Sequence, residues 1–237
     1  MTTRIDSPID QRPSTLTPTM WRVAGGLALA HVVILFAGFS QEVSVEHGIT
    51  ISKLGSLFGG ADLNRVLAGG YVESLAFLVL LPALVFVARA LGQRSPLGRW
   101  AAMTGLAAGI TYVAITLAVG QSAGAAALYG AQHGADLHAV AMVLDVRNYA
   151  FFLSVAVSGA YAIAVGLSAI ADGRFTRWVG YGGVVVGVVA IVAVAAQFAN
   201  VGSLLWMIWW VGVAVTLIRA AGTQDTVRDA EGMSTVA

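Results

Sequence analysis

One stretch of the chain, residues 144–194, constrains the fold more than any other. A polar headpiece with Arg147 and Asn148 leads into a long apolar segment, a short basic turn follows, and a second apolar segment completes the stretch. A helix of about 20 apolar residues, rising ~1.5 Å per residue, spans the ~30 Å hydrocarbon core of a bilayer. The stretch therefore predicts a transmembrane helical hairpin.

The composition extends this prediction to the whole chain. Of the 237 residues, 58% are hydrophobic and only 11% are charged, whereas soluble domains carry roughly 25% charged residues. A soluble protein of this size cannot cover so much apolar surface, so the excess must face the lipid bilayer. The net charge of +1 gives no basis for binding nucleic acid, and the absence of cysteine excludes disulfides and thiolate metal sites.

Six apolar segments are long enough to cross a membrane, so the sequence predicts an all-α, polytopic bundle of six transmembrane helices. The predicted spans are residues 21–40, 65–91, 100–121, 146–171, 178–198 and 204–219, with Asn200 as the alternative start of the last. The domain organisation that follows is a transmembrane domain over 21–219, with polar, disordered cytoplasmic tails over 1–20 and 220–237.

Two connections are ambiguous. Residues 41–64 predict a loop in which apolar residues at helical spacing indicate a short helix lying in the membrane interface, with an ordinary loop as the alternative. Residues 122–145 predict an extension of the third helix followed by a loop. A separate span there would invert the topology downstream, against the distribution of charge.

Basic residues predict the orientation, because cytoplasmic loops carry an excess of Lys and Arg. Ten lie on the side of the two termini: Arg4, Arg12, Arg22, Arg89, Arg94, Arg99, Arg174, Arg177, Arg219 and Arg228. Three lie on the other side: Lys53, Arg65 and Arg147. The sequence therefore predicts a plasma-membrane protein with both termini in the cytoplasm.

Small residues and tryptophans give two further predictions. Small residues recur every four positions from Ser154 to Gly166, and Gly183 and Gly187 form a G-x-x-x-G, which is typical of closely packed membrane helices. Packing within one chain is favoured, with a homo-oligomer interface as the alternative. The tryptophans, three at the starts of spans and three at 206–210, predict interfacial belts, and lining of a ligand site is the alternative.

Two ionisable residues fall at membrane depth, where a charge is costly and marks a functional candidate. His31 lies in the first span and Glu73 in the second, at matching depths on consecutive antiparallel helices. They predict the floor of an outward-facing polar pocket, in which Glu73 is either paired with His31 or protonated, with Arg147 and Asn148 at the rim. Arg147 is predicted to pair with Asp145, Asp62 or Glu73, because an unpaired charge at the start of an apolar span is costly. The alternative is a buried pair with a purely structural role. The inner halves of the spans are apolar, which argues against a channel or pump.

The remaining polar residues indicate no catalytic set, no metal site and no cofactor. Acidic residues and histidines in the outer loops are spaced poorly for a shared metal ion, and solvated loops are the favoured interpretation. They are Glu42, Glu46, His47, Asp62, His133, Asp136, His138 and Asp145. No known hydrolase, nucleotide-binding or metalloprotease motif is present.

The hairpin resembles a bacterial membrane family catalogued as domain of unknown function 4386. The similar residues are Leu144-Asp145-Val146-Arg147-Asn148-Tyr149 and, after the apolar span, Arg174-Phe175-Thr176-Arg177-Trp178-Val179-Gly180, together with the first-helix start Arg22-Val23-Ala24-Gly25-Gly26. The likeness covers about 70 residues closely and the six-span layout loosely. It implies a fold and a membrane location but no reaction.

Three functions therefore stay open. The first is a non-enzymatic sensor, carrier or accessory subunit that takes a small ligand from the outer side. The second is a membrane enzyme acting on lipid or a periplasmic substrate through Glu73, His31 or the outer-loop histidines. The third is a structural or assembly partner, for which Glu73 and His31 matter only to the fold.

Overall fold

The computed structural model describes residues 16–43, 45, 48–173 and 175–234, with side chains described as far as Thr223. Within this part of the chain the secondary structure is helical, with no strand. The elements are α1 (Pro18–Phe39), α2 (Ile51–Gly60), α3 (Leu63–Ala90), α4 (Pro96–Ile115), a π-helix (Thr116–Gln121), α5 (Ser122–Gln132), α6 (Leu137–Asp172), α7 (Arg177–Ala195) and α8 (Ala199–Ser234).

Six of the described helical stretches are long and apolar enough to cross a membrane. They are Pro18–Phe39, Leu63–Ala90, Pro96–Gln132, Leu137–Asp172, Arg177–Ala195 and Ala199–Thr223. The predicted all-α bundle of six spans is confirmed, and the chain is a multi-pass membrane protein. The end of the bundle where α1 begins is called the tail side, and the opposite end, with residues 41–43, 48–62 and 133–136, the loop side.

The six long helical stretches close into a ring. Going round it, α1 packs on α3, α3 on α4, α4 on α6, α6 on α7, α7 on α8, and α8 returns to α1. The interior of the ring holds a continuous core that includes Trp21, Leu80, Tyr161 and Leu217. This closure leaves a central space between α1, α3, α4, α6 and α8.

Local sequence explains where the helices begin. Thr17 caps α1 by accepting the backbone N–H of Met20, and Ser95 caps α4 in the same way from Gly98; a proline follows each cap. The first helix therefore starts at Pro18, inside the stretch predicted as a tail. The rest of that predicted tail, residues 1–15, lies outside the described residues.

The third and fourth spans extend well beyond a bilayer on the loop side. At ~1.5 Å per residue, the 37 residues from Pro96 to Gln132 and the 36 of α6 each measure about 55 Å. The extension predicted for the third helix is confirmed, but the loop after it is only residues 133–136. The predicted short helix exists as α2, and its buried residues Leu54 and Phe58 pack against α5 and α6.

The last helix begins close to the alternative predicted start and ends later than the sequence predicts. Residues 196–198 form a tight turn, with Gln197 in the left-handed region at φ 66°, so α8 starts at Ala199, next to the alternative predicted start at Asn200 and before residue 204. Its helix continues to Ser234, through most of the residues predicted as a disordered tail. No proline interrupts the sequence there, and a helix can run on.

Glycines hold α6 and α7 together along a close seam. A Cβ atom on Gly183 would lie 2.7 Å from the carbonyl oxygen of Ala162, and one on Gly166 would lie 2.9 Å from the backbone nitrogen of Val184. The small residues at 162, 166, 183 and 187 thus serve packing within the chain, as predicted. Ser154 and Ser158, from the same repeat, face the interior of the ring instead.

A buried carboxylate on the tail side holds the connection between α3 and α4 against the end of α6. Asp172, at the end of α6, accepts the backbone N–H of Gln93 at 2.9 Å and the hydroxyl of Ser95 at 3.3 Å. One turn earlier, Ser168 donates to the carbonyl of Gly98 at 2.7 Å. These bonds fix the α3–α4 connection against α6, a role that the sequence did not reveal.

Candidate functional site

A cavity of about 380 Å³ occupies the loop-side half of the ring. Its walls come from α1, α3, α4, the π-helix, α6 and α8. Polar walls are contributed by Glu42, Glu73, Gln121, Arg147, Asn148 and Asn200, and aromatic walls by Phe39, Phe77, Tyr112, Phe151 and Trp206. This volume and this mixture are typical of small-molecule sites, where a few polar groups orient a ligand in a largely apolar pocket.

Glu73 is the most deeply buried charged group of the cavity, at 2% exposure. It lies ten residues into α3, roughly 15 Å along the helix axis. The Nε2 group of Gln121 donates to its Oε2 atom at 2.8 Å, whereas its Oε1 atom has no hydrogen-bond donor among the described residues. Gly38 on α1 makes room for the Glu73 side chain, which a Cβ at position 38 would meet.

The carboxylate of Glu42 lies beside that of Glu73, close enough for direct electrostatic interaction. Arg147 donates to Oε1 of Glu42 at 2.5 Å, and the two side chains are 22% and 20% exposed. The sequence had predicted Asp145, Asp62 or Glu73 as the partner of Arg147. The hydrogen-bond partner is Glu42, because the turn that ends α1 carries Glu42 to the mouth of the cavity, where α6 presents Arg147. Arg147 also attracts the nearby carboxylate of Glu73, one of the three predicted partners.

The π-helix places Gln121 opposite Glu73. At its end the hydroxyl of Ser122 donates to the carbonyl of Leu117, five residues earlier, and at its start the hydroxyl of Thr116 donates to the carbonyl of Tyr112 at 2.8 Å. A π-helical turn widens the helix and rotates the residues that follow, and such turns are frequent at functional sites. Gln121 and Thr116 both line the cavity as a result.

His31 lies next to the cavity but outside its lining. Its Nδ1–H donates to the carbonyl of Ala76 at 2.9 Å, because a carbonyl oxygen can only accept. The ring is fully buried and packs edge-on against Phe77 and Trp206. Ala76 is one turn from Glu73, so the two predicted residues lie on neighbouring helices, but the direct bond between them is replaced by separate partners.

Aromatic side chains fill the interior of the helix bundle beneath the cavity, towards the tail side. Trp206 and Trp210 stack with centroids 5.6 Å apart, Tyr161 packs 5.7 Å from Trp210, and Tyr112 packs 5.4 Å from Trp206. These rings form the floor of the cavity. The interfacial belt predicted for residues 206–210 is therefore wrong, since all three tryptophans there are at most 2% exposed. The alternative prediction, that tryptophan lines a ligand site, fits Trp206, which lines the cavity.

The tryptophans at the starts of spans divide in the same way. Trp100 and Trp178 are 64% and 54% exposed, as a belt requires. Trp21, by contrast, is buried against Phe86 and Phe175.

The acidic residues and histidines of the outer loops stay dispersed in the part of the chain that the structure describes. No group of three or more in that part could hold a metal ion; Glu46 and His47 lie outside it. Asp136 and His138 pair at 3.3 Å on the surface. The backbone N–H of His138 lowers the pKa of the Asp136 carboxyl, because it stabilises the charged form.

Of the four residues predicted for the site, Glu73, Arg147 and Asn148 line one cavity and His31 supports its wall. Fold and cavity define an all-α multi-pass membrane protein with a polar, aromatic-lined chamber open towards the loop side. No family model, curated protein or solved structure matches the chain. The resemblance to the family of domain of unknown function 4386 thus stays a prediction.

Proposed function

We propose that the protein is a non-enzymatic membrane receptor that binds a small ligand in the cavity between its helices. The observation that carries this proposal is the cavity itself, with buried polar atoms that have no protein partner. Oε1 of Glu73 and Nδ2 of Asn148 are both unpaired among the described residues. Leaving such groups unpaired costs roughly 1–3 kcal/mol each, a cost that a bound ligand removes.

The aromatic floor favours binding over passage. Trp206, Trp210 and Tyr161 occupy the space through which a solute would have to leave on the tail side. Sensing, or service as the binding subunit of a larger assembly, needs no such exit. A carrier role would require those rings to separate.

We place the receptor in the plasma membrane, with both termini in the cytoplasm and the cavity facing outward. The support is the excess of basic residues that the sequence predicts on the side of the two termini, ten against three. The partly exposed Arg147–Glu42 pair at the mouth then meets the external solution. A ligand would enter there without crossing the lipid.

Native mass spectrometry of the protein purified in mild detergent tests the proposal. We expect a small molecule of defined mass on the wild type, and its loss in Ser154→Phe, which places a ring in the cavity. Ser56→Phe is the matched control, because Ser56 is on α2 and away from the cavity. A wild-type spectrum without any adduct, together with no stabilisation by a broad metabolite library, would refute a binding role.

A further inference from the structure

We propose that the ligand is an organic cation, a protonated amine carried on an apolar body, and that Glu73 with Glu42 binds its ammonium group. This inference rests on the proposed binding function and adds the chemical class of the ligand. It follows from the balance of charges, from one unpaired oxygen atom and from the nature of the walls.

The charges around the cavity do not balance. Glu42 and Glu73 contribute two carboxylates, and Arg147 contributes one guanidinium that is bonded to Glu42. Glu73 is left with a neutral amide, Gln121, as its hydrogen-bond donor. A buried carboxylate without a full counter-charge is unfavourable, so in the empty site the acidic pair holds a shared proton, which a positively charged group of a ligand can replace.

The unpaired atom shows where that charge would sit. Oε1 of Glu73 is buried and has no donor, and the neighbouring carboxylate of Glu42 interacts with Glu73 directly. Two adjacent carboxylates repel each other, and an ammonium group placed between them removes the repulsion while donating hydrogen bonds to both. Such charge-assisted bonds are about twice as strong as neutral ones.

The walls select an organic cation rather than a metal ion. Calcium takes about six to eight oxygen ligands, and magnesium demands near-octahedral coordination, which two carboxylates and an amide do not provide. Phe77, Tyr112 and Trp206 instead offer aromatic surface beside the acidic pair. Aromatic faces attract organic cations and accept their apolar carbon atoms. The unpaired Nδ2 of Asn148 adds a donor for an oxygen atom on the same ligand.

The test measures thermal unfolding and tryptophan fluorescence of the full chain in lipid nanodiscs, with three probes that share one aromatic body. The probes are phenethylamine, phenethyl alcohol and hydrocinnamate, which carry an ammonium, a hydroxyl and a carboxylate group. We expect the amine to raise the melting temperature and to change the fluorescence, because Trp206 lines the cavity. The alcohol and the acid should bind at least about tenfold more weakly.

Two variants locate the effect. Glu73→Gln keeps the size of the side chain and should weaken the binding of the amine by about tenfold or more, with little change in the binding of the alcohol. Glu42→Gln, at the partly exposed rim, should weaken the binding of the amine as well. This variant tests the acidic pair even if Glu73→Gln fails to fold. Asp136→Asn is the control, since Asp136 is an exposed carboxylate outside the cavity and should leave the affinity unchanged.

The outcomes separate the ligand class from the binding function. If the alcohol or the acid binds the wild type as well as the amine does, the cationic class is overturned and the receptor stands. If the amine binds Glu73→Gln and Glu42→Gln like the wild type, the acidic pair is not its site and the inference fails. If none of the probes binds while native mass spectrometry shows another adduct, the class is again wrong. If neither experiment detects a ligand, the receptor function falls too.

Discussion

Replacing Gly183 by alanine should destabilise the protein, although alanine is the better helix former. The new Cβ atom would lie 2.7 Å from the carbonyl oxygen of Ala162 and 2.9 Å from the indole of Trp209. Ordinary contact begins at 3.4 Å, so α6 and α7 must move apart by roughly 0.7 Å. A gap of that size forfeits about a quarter to a half of the dispersion attraction along the seam. Both neighbours are rigid, which places the cost at about 2–3 kcal/mol.

Gly26→Ala is the matched control, because Gly26 is also helical but has no atom within 4 Å of the added methyl group. At position 26 the higher helix propensity of alanine should stabilise the folded protein by up to about 1 kcal/mol. The same gain offsets part of the loss at Gly183, so the net loss there is about 1–2 kcal/mol. At roughly 2–4 °C per kcal/mol, the two variants should melt about 4–12 °C apart.

The assay is thermal unfolding in detergent and again in nanodiscs, with the oligomeric state measured by light scattering. We expect Gly183→Ala to melt below the wild type and Gly26→Ala at or above it. If Gly183→Ala melts as high as Gly26→Ala, the seam is not under steric constraint and the argument fails. If its main effect is instead to dissociate a dimer, the glycines serve an interface between chains.

Three further predictions concern charges. Asp172→Ala should lower the free energy of unfolding by about 2–4 kcal/mol, because two hydrogen bonds to a buried carboxylate are lost; a melting temperature equal to that of Asp136→Asn would refute this. Arg147→Ala should cost about 1–3 kcal/mol, since the pair with Glu42 is only partly exposed, and Glu42→Gln in the same background should restore part of it; no recovery would argue against the pairing. Reporter fusions after Ala90 and after Gly173 should both report the cytoplasm, and a periplasmic signal at either would refute the proposed orientation.

The spans could be predicted because a bilayer imposes one requirement on every helix, about 20 apolar residues in succession. The small-residue seam was predictable for a similar reason, since only glycine and alanine let backbones approach closely. Both are local properties of the sequence.

Contacts between distant residues could not be predicted in this way. Glu42 follows α1 and Arg147 lies on α6, and the sequence around either residue does not indicate that the two are in contact. The tryptophans of α8 were misplaced because the start of that helix depends on the tight turn at Gln197, a left-handed residue that is not glycine. Moving the start to Ala199 places Trp206 seven residues into the helix, in the core rather than at an interface.

The difference between a receptor and a carrier depends on whether α8 leaves its neighbours, and the chain allows a direct test because it contains no cysteine. A Cβ atom on Gly25 would lie 2.6 Å from Cγ1 of Ile218 and 2.9 Å from the carbonyl oxygen of Ala214. Cysteines at positions 25 and 218 are therefore within reach of a disulfide between α1 and α8, at the cost of a small shift between these helices that the reduced and oxidised forms share.

The bond would lie on the tail side of Trp206 and Trp210, and would hold the aromatic floor in place. We expect the oxidised Gly25→Cys/Ile218→Cys protein to bind phenethylamine as tightly as the reduced form does, because the mouth at Arg147 and Glu42 is untouched. In proteoliposomes, neither form should move the amine across the bilayer faster than protein-free liposomes do. Flux above that of protein-free liposomes that appears on reduction and stops on oxidation would mean that the floor opens in the working protein, and would make it a carrier.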